Sequence, residues 1–377
     1  MILTNCAACA APLAHDAPRC VRCKTRYCNS TCQHDHWRRG HKQICKKIHR
    51  GGNAEQYHAD NKYKEAVAVA VEKCADDTKG QTCYICTGAL HWKTKEGLVR
   101  GCTCRGTAGF AHVSCLAEQA KILMDEAEQN NLGAKVLNAR FERWHTCSLC
   151  EQDYYSAVRY ALGWACWKTY VDRPEFDRIR GVAMGSLGIG LTFAYQHADA
   201  LSVKEADIST MRRIDAPEQS ILVAQSNLAT SYEMVGQKEQ ALQLRRDAYS
   251  GFLRLFGEEH LHTLQAANSY AASLSKLQRI EEAKALMRKT LPVAQRVLGN
   301  SHLLTLGMRW FYATGLYMDH SAMLGDLREA VTTLEETERI ARRVLGILHP
   351  VTTEVEESLL ESRVALRARE TPPPGSS

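Results

Sequence analysis

The sequence predicts a mainly α protein, with two small zinc modules at the N-terminal end and an α-helical solenoid behind them. Three observations predict it. All 16 cysteines fall before residue 167, 14 of them in two runs spaced like metal ligands, and the second half repeats itself at an interval of 42 residues with a helical apolar period. At 377 residues and 45% hydrophobic composition the chain is long enough for two or three domains with cores of their own.

The first run is Cys6, Cys9, Cys20, Cys23, Cys28, Cys32, His41 and Cys45. Zinc is held by thiolate and imidazole in closed four-coordinate structural sites, and a CxxC pair lets one tight turn aim two sulfurs at one ion. Eight ligands make two such sites. Because no ligand position is left open for water, these ions hold a small fold together rather than catalyse.

In the run YCNSTCQHDHWRRGHKQIC and the two CxxC pairs before it, residues 6 to 45 resemble the MYND zinc finger. The resemblance implies interleaved ligands, with Cys6, Cys9, Cys28 and Cys32 on one ion and Cys20, Cys23, His41 and Cys45 on the other. It also implies a proline-rich peptide laid along a strand edge, with Gln33 and Trp37, and secondarily Tyr27, as contacts. Eight residues separate Cys32 from His41, one more than the finger calls for, and Gly40 is the expected accommodation. A helix with Tyr57, Tyr63, Val67 and Val71 on one stripe is expected across 51–80, joining this module (1–50) to the next (81–153).

The second run, Cys83, Cys86, Cys102, Cys104, His112, Cys115, Cys147 and Cys150, again supplies seven cysteines and one histidine. With CxC at Cys102 and Cys104 and the text GCTCRGTAGFAHVSCL, it resembles the RING-CH finger of ubiquitin ligases. A cross-braced RING gives Cys83, Cys86, His112 and Cys115 to one ion and Cys102, Cys104, Cys147 and Cys150 to the other, for four zinc ions in all. A PHD finger, which would make the protein a histone-tail reader, is the competing reading.

The RING resemblance implies a ubiquitin-conjugating enzyme as partner and places Ile85, between the first two ligands, at its apolar contact. Three features depart from it. Gln119 stands where the pattern has Trp, Glu151 follows the last ligand where a basic residue is often found, and 31 residues separate Cys115 from Cys147. Ubiquitin-ligase activity is therefore the alternative to a plain interaction adaptor. RING ligases use no acid or base of their own, and no catalytic residue is assigned here. Cys74 and Cys166, the two cysteines left over, fall among apolar residues and read as packed side chains.

A connecting helix is expected over 154–181 and the solenoid over 182–369. GEEHLHTL at 257–264 recurs as GNSHLLTL at 299–306 and, more loosely, as GILHPVTT at 346–353. The second interval is 47 residues, the extra five being placed in the turn DHSAML. Leu264, Ala267, Ala271 and Leu274, then Ala283, Met287 and Leu291, keep a helical period. Four helical hairpins fit between about 182 and 346, with a closing helix from Thr352 to Arg369. A 42-residue unit of two long helices resembles the tetratricopeptide (TPR) repeats of kinesin light chains, which implies a peptide bound in a concave groove. Pro292 is expected to bend or break its helix, and residues 370–377, ending TPPPGSS, to be a disordered tail.

The formal charge of +6 counts every cysteine as neutral. Seven thiolates and two dications give each module a net −3, so the loaded protein is near neutral. Nucleic acid is not expected as a partner, since basic and aromatic residues are not interleaved as in single-strand binders. No run of about 18 apolar residues occurs, so no membrane span is expected. Cysteines used as ligands need a reducing compartment, which points to an intracellular protein, cytoplasmic or nuclear. Phosphate-cradling glycine loops, Ser-His-Asp order and HExxH are absent from the sequence.

Overall fold

The structure, a computed structural model, describes residues 4–14, 16–319, 321–346 and 349–370. Two compact units divide the chain at Ala216 and Pro217. Among the described residues there are helices and isolated β-bridges but no strands.

In the first unit, α1 (Ser30–His36) and α2 (Lys42–Arg50) belong to the first cysteine run, and α3 (Ala54–Lys73) links it to the second. The long insertion between Cys115 and Cys147 is helical: α4 (Val113–Gln129), α5 (Ala134–Phe141) and a 3₁₀ turn, Glu142–Trp144. Next come α6 (Ser156–Tyr170), α7 (Arg178–Phe193) and α8 (His197–Arg213).

The helix α6 is no mere connector. All its residues from Ala157 to Trp167 are buried, and it packs on α3, α4 and α7. A helix buried on every side, Arg159 included, belongs inside a core. One continuous apolar core accordingly runs from Ala59 on α3, through four cysteines of the second run, to Val203 on α8. The second module is thus built into a helical body, not strung beside it. Fully buried Trp144 shows what the insertion is for, since its ring meets Tyr170 of α6 edge-on with 5.7 Å between centroids.

Asp207 on α8 is 5% exposed. Burial pushes its carboxyl up to about 7. An acid whose pKa is raised on folding carries no penalty below the ordinary carboxylate value, a growing one as pH rises from there to about 7, and a constant one above. Asp207→Asn should therefore raise stability by on the order of 3 kcal/mol at pH 8 and by about 1 kcal/mol less at pH 6, where the thiolate sites still hold their metal. Thermal melts of variant and parent at both pH values check this, and an equal shift at both would contradict it.

The second unit holds three helical hairpins, α9 (Glu218–Met234) with α10 (Lys238–Phe256), α11 (Leu261–Lys276) with α12 (Ile280–Leu298), and α13 (Leu303–Tyr317) with α14 (Leu324–Leu345). A final helix, α15 (Pro350–Glu370), closes it. With α7 and α8 these are the four hairpins and closing helix expected. The repeated G-x-x-H text acquires a structural meaning. Gly257, Gly299 and Gly346 follow α10, α12 and α14 at φ 79°, 83° and 88°, where a side chain would be strained. Three residues later His260, His302 and His349 accept the backbone N–H of His262, Leu304 and Val351, each on Nδ1 at 3.2 Å. An imidazole here does the work usually done by Ser or Asp at a helix start.

Two expectations need correction. Pro292 does not break its helix, for α12 is continuous across it. The proline is exposed while Leu291 and Ala294 beside it are buried, so the donorless site faces water and packing holds both flanks. Nor do all five extra residues of the last interval lie in the turn. The turn 318–323 is six residues against three at 277–279, and α14 has 22 residues against 19 in α12. His320 of that turn, Ile347 and Leu348 of the third repeat text, and 371–377 of the expected disordered tail lie outside the described residues. Of the expected joining helix over 51–80, residues 54–73 are helical and 74–80 form turns.

Candidate metal centres

The structure brings the sixteen candidate ligands together in four sets: Cys6, Cys9, Cys28, Cys32; Cys20, Cys23, His41, Cys45; Cys83, Cys86, His112, Cys115; and Cys102, Cys104, Cys147, Cys150. Within each set the donor atoms lie within 4.8 Å of one another. This is the interleaved grouping that the two resemblances imply.

The separations fit a tetrahedral zinc. Sulfurs about 2.3 Å from one ion stand roughly 3.8 Å apart. Cys20 and Cys45, Cys9 and Cys32, and Cys104 and Cys147 are each 3.8 Å apart, Cys9 and Cys28 3.5 Å. A disulfide needs about 2 Å, and all these cysteines are free. His41 presents Nε2 to Cys23 at 3.3 Å, whereas His112 presents Nδ1 to Cys86 at 3.4 Å and to Cys115 at 3.6 Å. The other nitrogen of His112 lies 3.4 Å from the Ala89 carbonyl, an outer contact that fixes the tautomer needed for ligation.

Local sequence explains how each pair is aimed. The four CxxC turns share one construction. The residue after the second cysteine donates its N–H to the carbonyl of the first: Ala10 to Cys6, Lys24 to Cys20, Thr87 to Cys83 and Glu151 to Cys147, at 2.8–3.0 Å. All four of these residues are left-handed, at φ 57–63°. Inside the turn, the N–H groups of Ala8, Ile85 and Leu149 point at the first sulfur from 3.4 Å. Burial raises the Cys6 thiol, but amides of Cys9, Ala8 and Cys28 outweigh it and bring it down to about 6. Burial holds the Cys102 and Cys115 thiols well above the ordinary range. Such a mixed set keeps some protons until a dication displaces them, so loading releases protons.

Asn29 caps α1 by accepting the Cys32 amide at 2.9 Å, setting Cys28 and Cys32 on one side. The extra residue before His41 is absorbed in a wide π-type turn, Trp37–His41, where Gly40 leaves helical geometry at φ 126°. Gly40 is thus where the sequence placed the accommodation.

Of the expected partner contacts, Trp37 is 39% and Ile85 37% exposed, and Gln33 is half-buried. The Trp37 ring lies 5.8 Å from that of His41, so it also leans on a ligand. Tyr27 is a correction. It is fully buried in the first module's core, with its hydroxyl 3.0 Å from His36 Nδ1, and cannot meet a partner. Leu149 was missed. It occupies in Cys147–Cys150 the place that Ile85 has in Cys83–Cys86, and it is 51% exposed. The hydroxyls of Tyr84 and Ser148, one residue before each, meet at 3.1 Å. The matching texts CYIC and CSLC were the available signal. Cys166 is buried and Cys74 half-buried, as packed side chains. No described helix is long and apolar enough to cross a membrane.

In the second unit a groove of about 850 Å³ opens along α11, α13 and α15, with Phe311, Met318, Leu360 and Val364 among its walls.

Known proteins share these parts. Family models match residues 6–45 as a MYND finger, 83–150 as a RING-variant domain and 220–296 as a tetratricopeptide repeat. No curated protein matches the chain. Among solved structures, kinesin-light-chain TPR-like repeats from Podosopora anserina are 20% identical, with 52% of this chain and 90% of that one covered and a TM-score of 0.44. A form of those repeats carrying a single substitution is 16% identical, covering 62% and 97%, at 0.42. BtubC (BKLC) from P. vanneervenii is 12% identical, covering 70% and 96%, at 0.38. The four Cys/His clusters and the two finger matches together support zinc binding, and the chain carries a MYND finger, a RING-variant domain and tetratricopeptide repeats.

Proposed function

We propose that the protein is an interaction adaptor that holds four zinc ions, one per cluster, and offers separate surfaces to partner proteins. The observation that carries this reading is the donor count. Each cluster brings four ligand atoms together, which fills zinc and leaves no position for a reacting water. Ions held this way shape surfaces. The surfaces are Gln33 and Trp37 on the first finger, for a proline-rich peptide, and the groove along α11, α13 and α15, for a second peptide. Thiolate ligands fit a reducing compartment, the cytoplasm or nucleus.

Zinc per chain on purified protein tests it. Four ions, falling to three or two in Cys83→Ser, is the expected result. Two ions, unchanged in that variant, would remove the second finger from the reading.

A second reading, a ubiquitin ligase, draws on the hydrogen bond between Tyr84 and Ser148, beside which Ile85 and Leu149 both stand exposed. Such a paired apolar contact suits a conjugating enzyme. Autoubiquitination with a panel of conjugating enzymes, lost in both Ile85→Ala and Leu149→Ala, would establish it, and silence across the panel leaves the adaptor.

A further inference from the structure

The helix α15 buries one face and leaves an unusual pattern on the other. Thr352, Val355, Leu359 and Ser362 are buried, where the helix packs on α13 and α14. Opposite them, at helical spacing, stand Glu357, Leu360, Val364 and Arg367, all exposed. Leu360 is 64% and Val364 66% exposed, more than a solvated helix face ordinarily shows two apolar residues one turn apart.

The order along that face, acid, leucine, valine, base, reads as its own complement when reversed. Laid antiparallel against a copy of itself about a two-fold axis, the helix sets Leu360 on Val364 and Glu357 on Arg367, twice over. Glu361 and Arg363, on opposite flanks of this face, keep partners inside the chain, Arg363 with Glu335 at 2.7 Å and Glu361 accepting from the Tyr317 hydroxyl at 2.8 Å. A parallel arrangement would instead put like charges together. Self-complementarity of this kind is what a two-fold interface requires.

We infer that the exposed face of α15 is a self-association surface, on which a second copy of this chain docks antiparallel through Leu360 and Val364 with Glu357–Arg367 pairs at both ends. One helix face is smaller than the roughly 1,200 Å² of stable complexes, so the dimer dissociates on dilution. Because Leu360 and Val364 also wall the groove, self-association and occupation of that end of the groove exclude one another.

Sedimentation velocity of the full zinc-loaded chain across a concentration series tests this. The weight-average mass should climb from 42.2 kDa toward twice that. Glu357→Arg or Arg367→Glu alone, by facing like charges at two places, should weaken association roughly ten-fold or more. The double exchange E357R/R367E should restore it, and Leu360→Asp should abolish it. Circular dichroism melts confirm that the variants are folded. A monomer at every concentration, association indifferent to these changes, or single variants that the double exchange fails to rescue would each overturn the inference.

Discussion

Removing zinc should melt the chain up to Ala216 and leave the helices from Glu218 onward intact. A structural zinc contributes roughly 10–16 kcal/mol to folding in finger peptides, more than a typical domain's whole stability. The core of the first unit contains Cys83, Cys102, Cys115 and Cys147 and is continuous with Leu187 and Leu191 of α7 and Val203 of α8. Those helices lose their support with the metal. The core of the second unit, from Leu264 to Leu359, includes no ligand. Spacing in the sequence would put the boundary at residue 153, and the two positions are distinguishable. Chelation followed by limited proteolysis should leave a protected fragment starting near Pro217. One starting near 154, or undiminished helicity by circular dichroism, would refute the claim.

Gly109→Ala should cost at least one zinc per chain and about 3 kcal/mol or more of stability. Gly109 sits at φ 84°, and a methyl group there would lie 2.6 Å from Cys104 Cβ, 3.1 Å from Cys104 Sγ and 3.2 Å from Cys102 Sγ. Two ligands of one ion would have to move, on top of the roughly 1 kcal/mol of backbone strain. Gly106 provides the contrast. It also has positive φ, at 61°, but nothing lies within 4 Å, so Gly106→Ala should show the strain alone and keep its metal. Elemental analysis and melting of the pair decide the matter. Equal behaviour would show that the loop around Gly109 yields without disturbing the ligands.

The ligand sets were legible because metal chemistry fixes spacing locally, as the CxxC pairs and the Gly40 accommodation show. The repeats were legible because Gly257 and His260 recur 42 residues on as Gly299 and His302. What hid was whatever depends on distant chain. The run Ala157–Trp167 reads as a connector since it lacks a polar face, and only neighbours supplied by α3, α4 and α7 explain it. Tyr27 looks available beside Cys28 until the first module folds over it. Leu149 lay in plain view, but its worth depends on the hydrogen bond that sets Ser148 against Tyr84.

The interleaving of ligands also has a topological side. In the first finger an ion on Cys9 and Cys28 closes a loop that contains Cys20 and Cys23, and an ion on Cys23 and His41 closes one that contains Cys28 and Cys32. Each loop thus carries two ligands of the other site. Whichever ion arrives first meets the entropy of drawing its chain segment together, which grows with the logarithm of length. The second then finds its donors already neighbours. Half-loaded fingers should therefore be scarce at any zinc concentration, and a limited zinc supply would divide the molecules into fully assembled and empty ones.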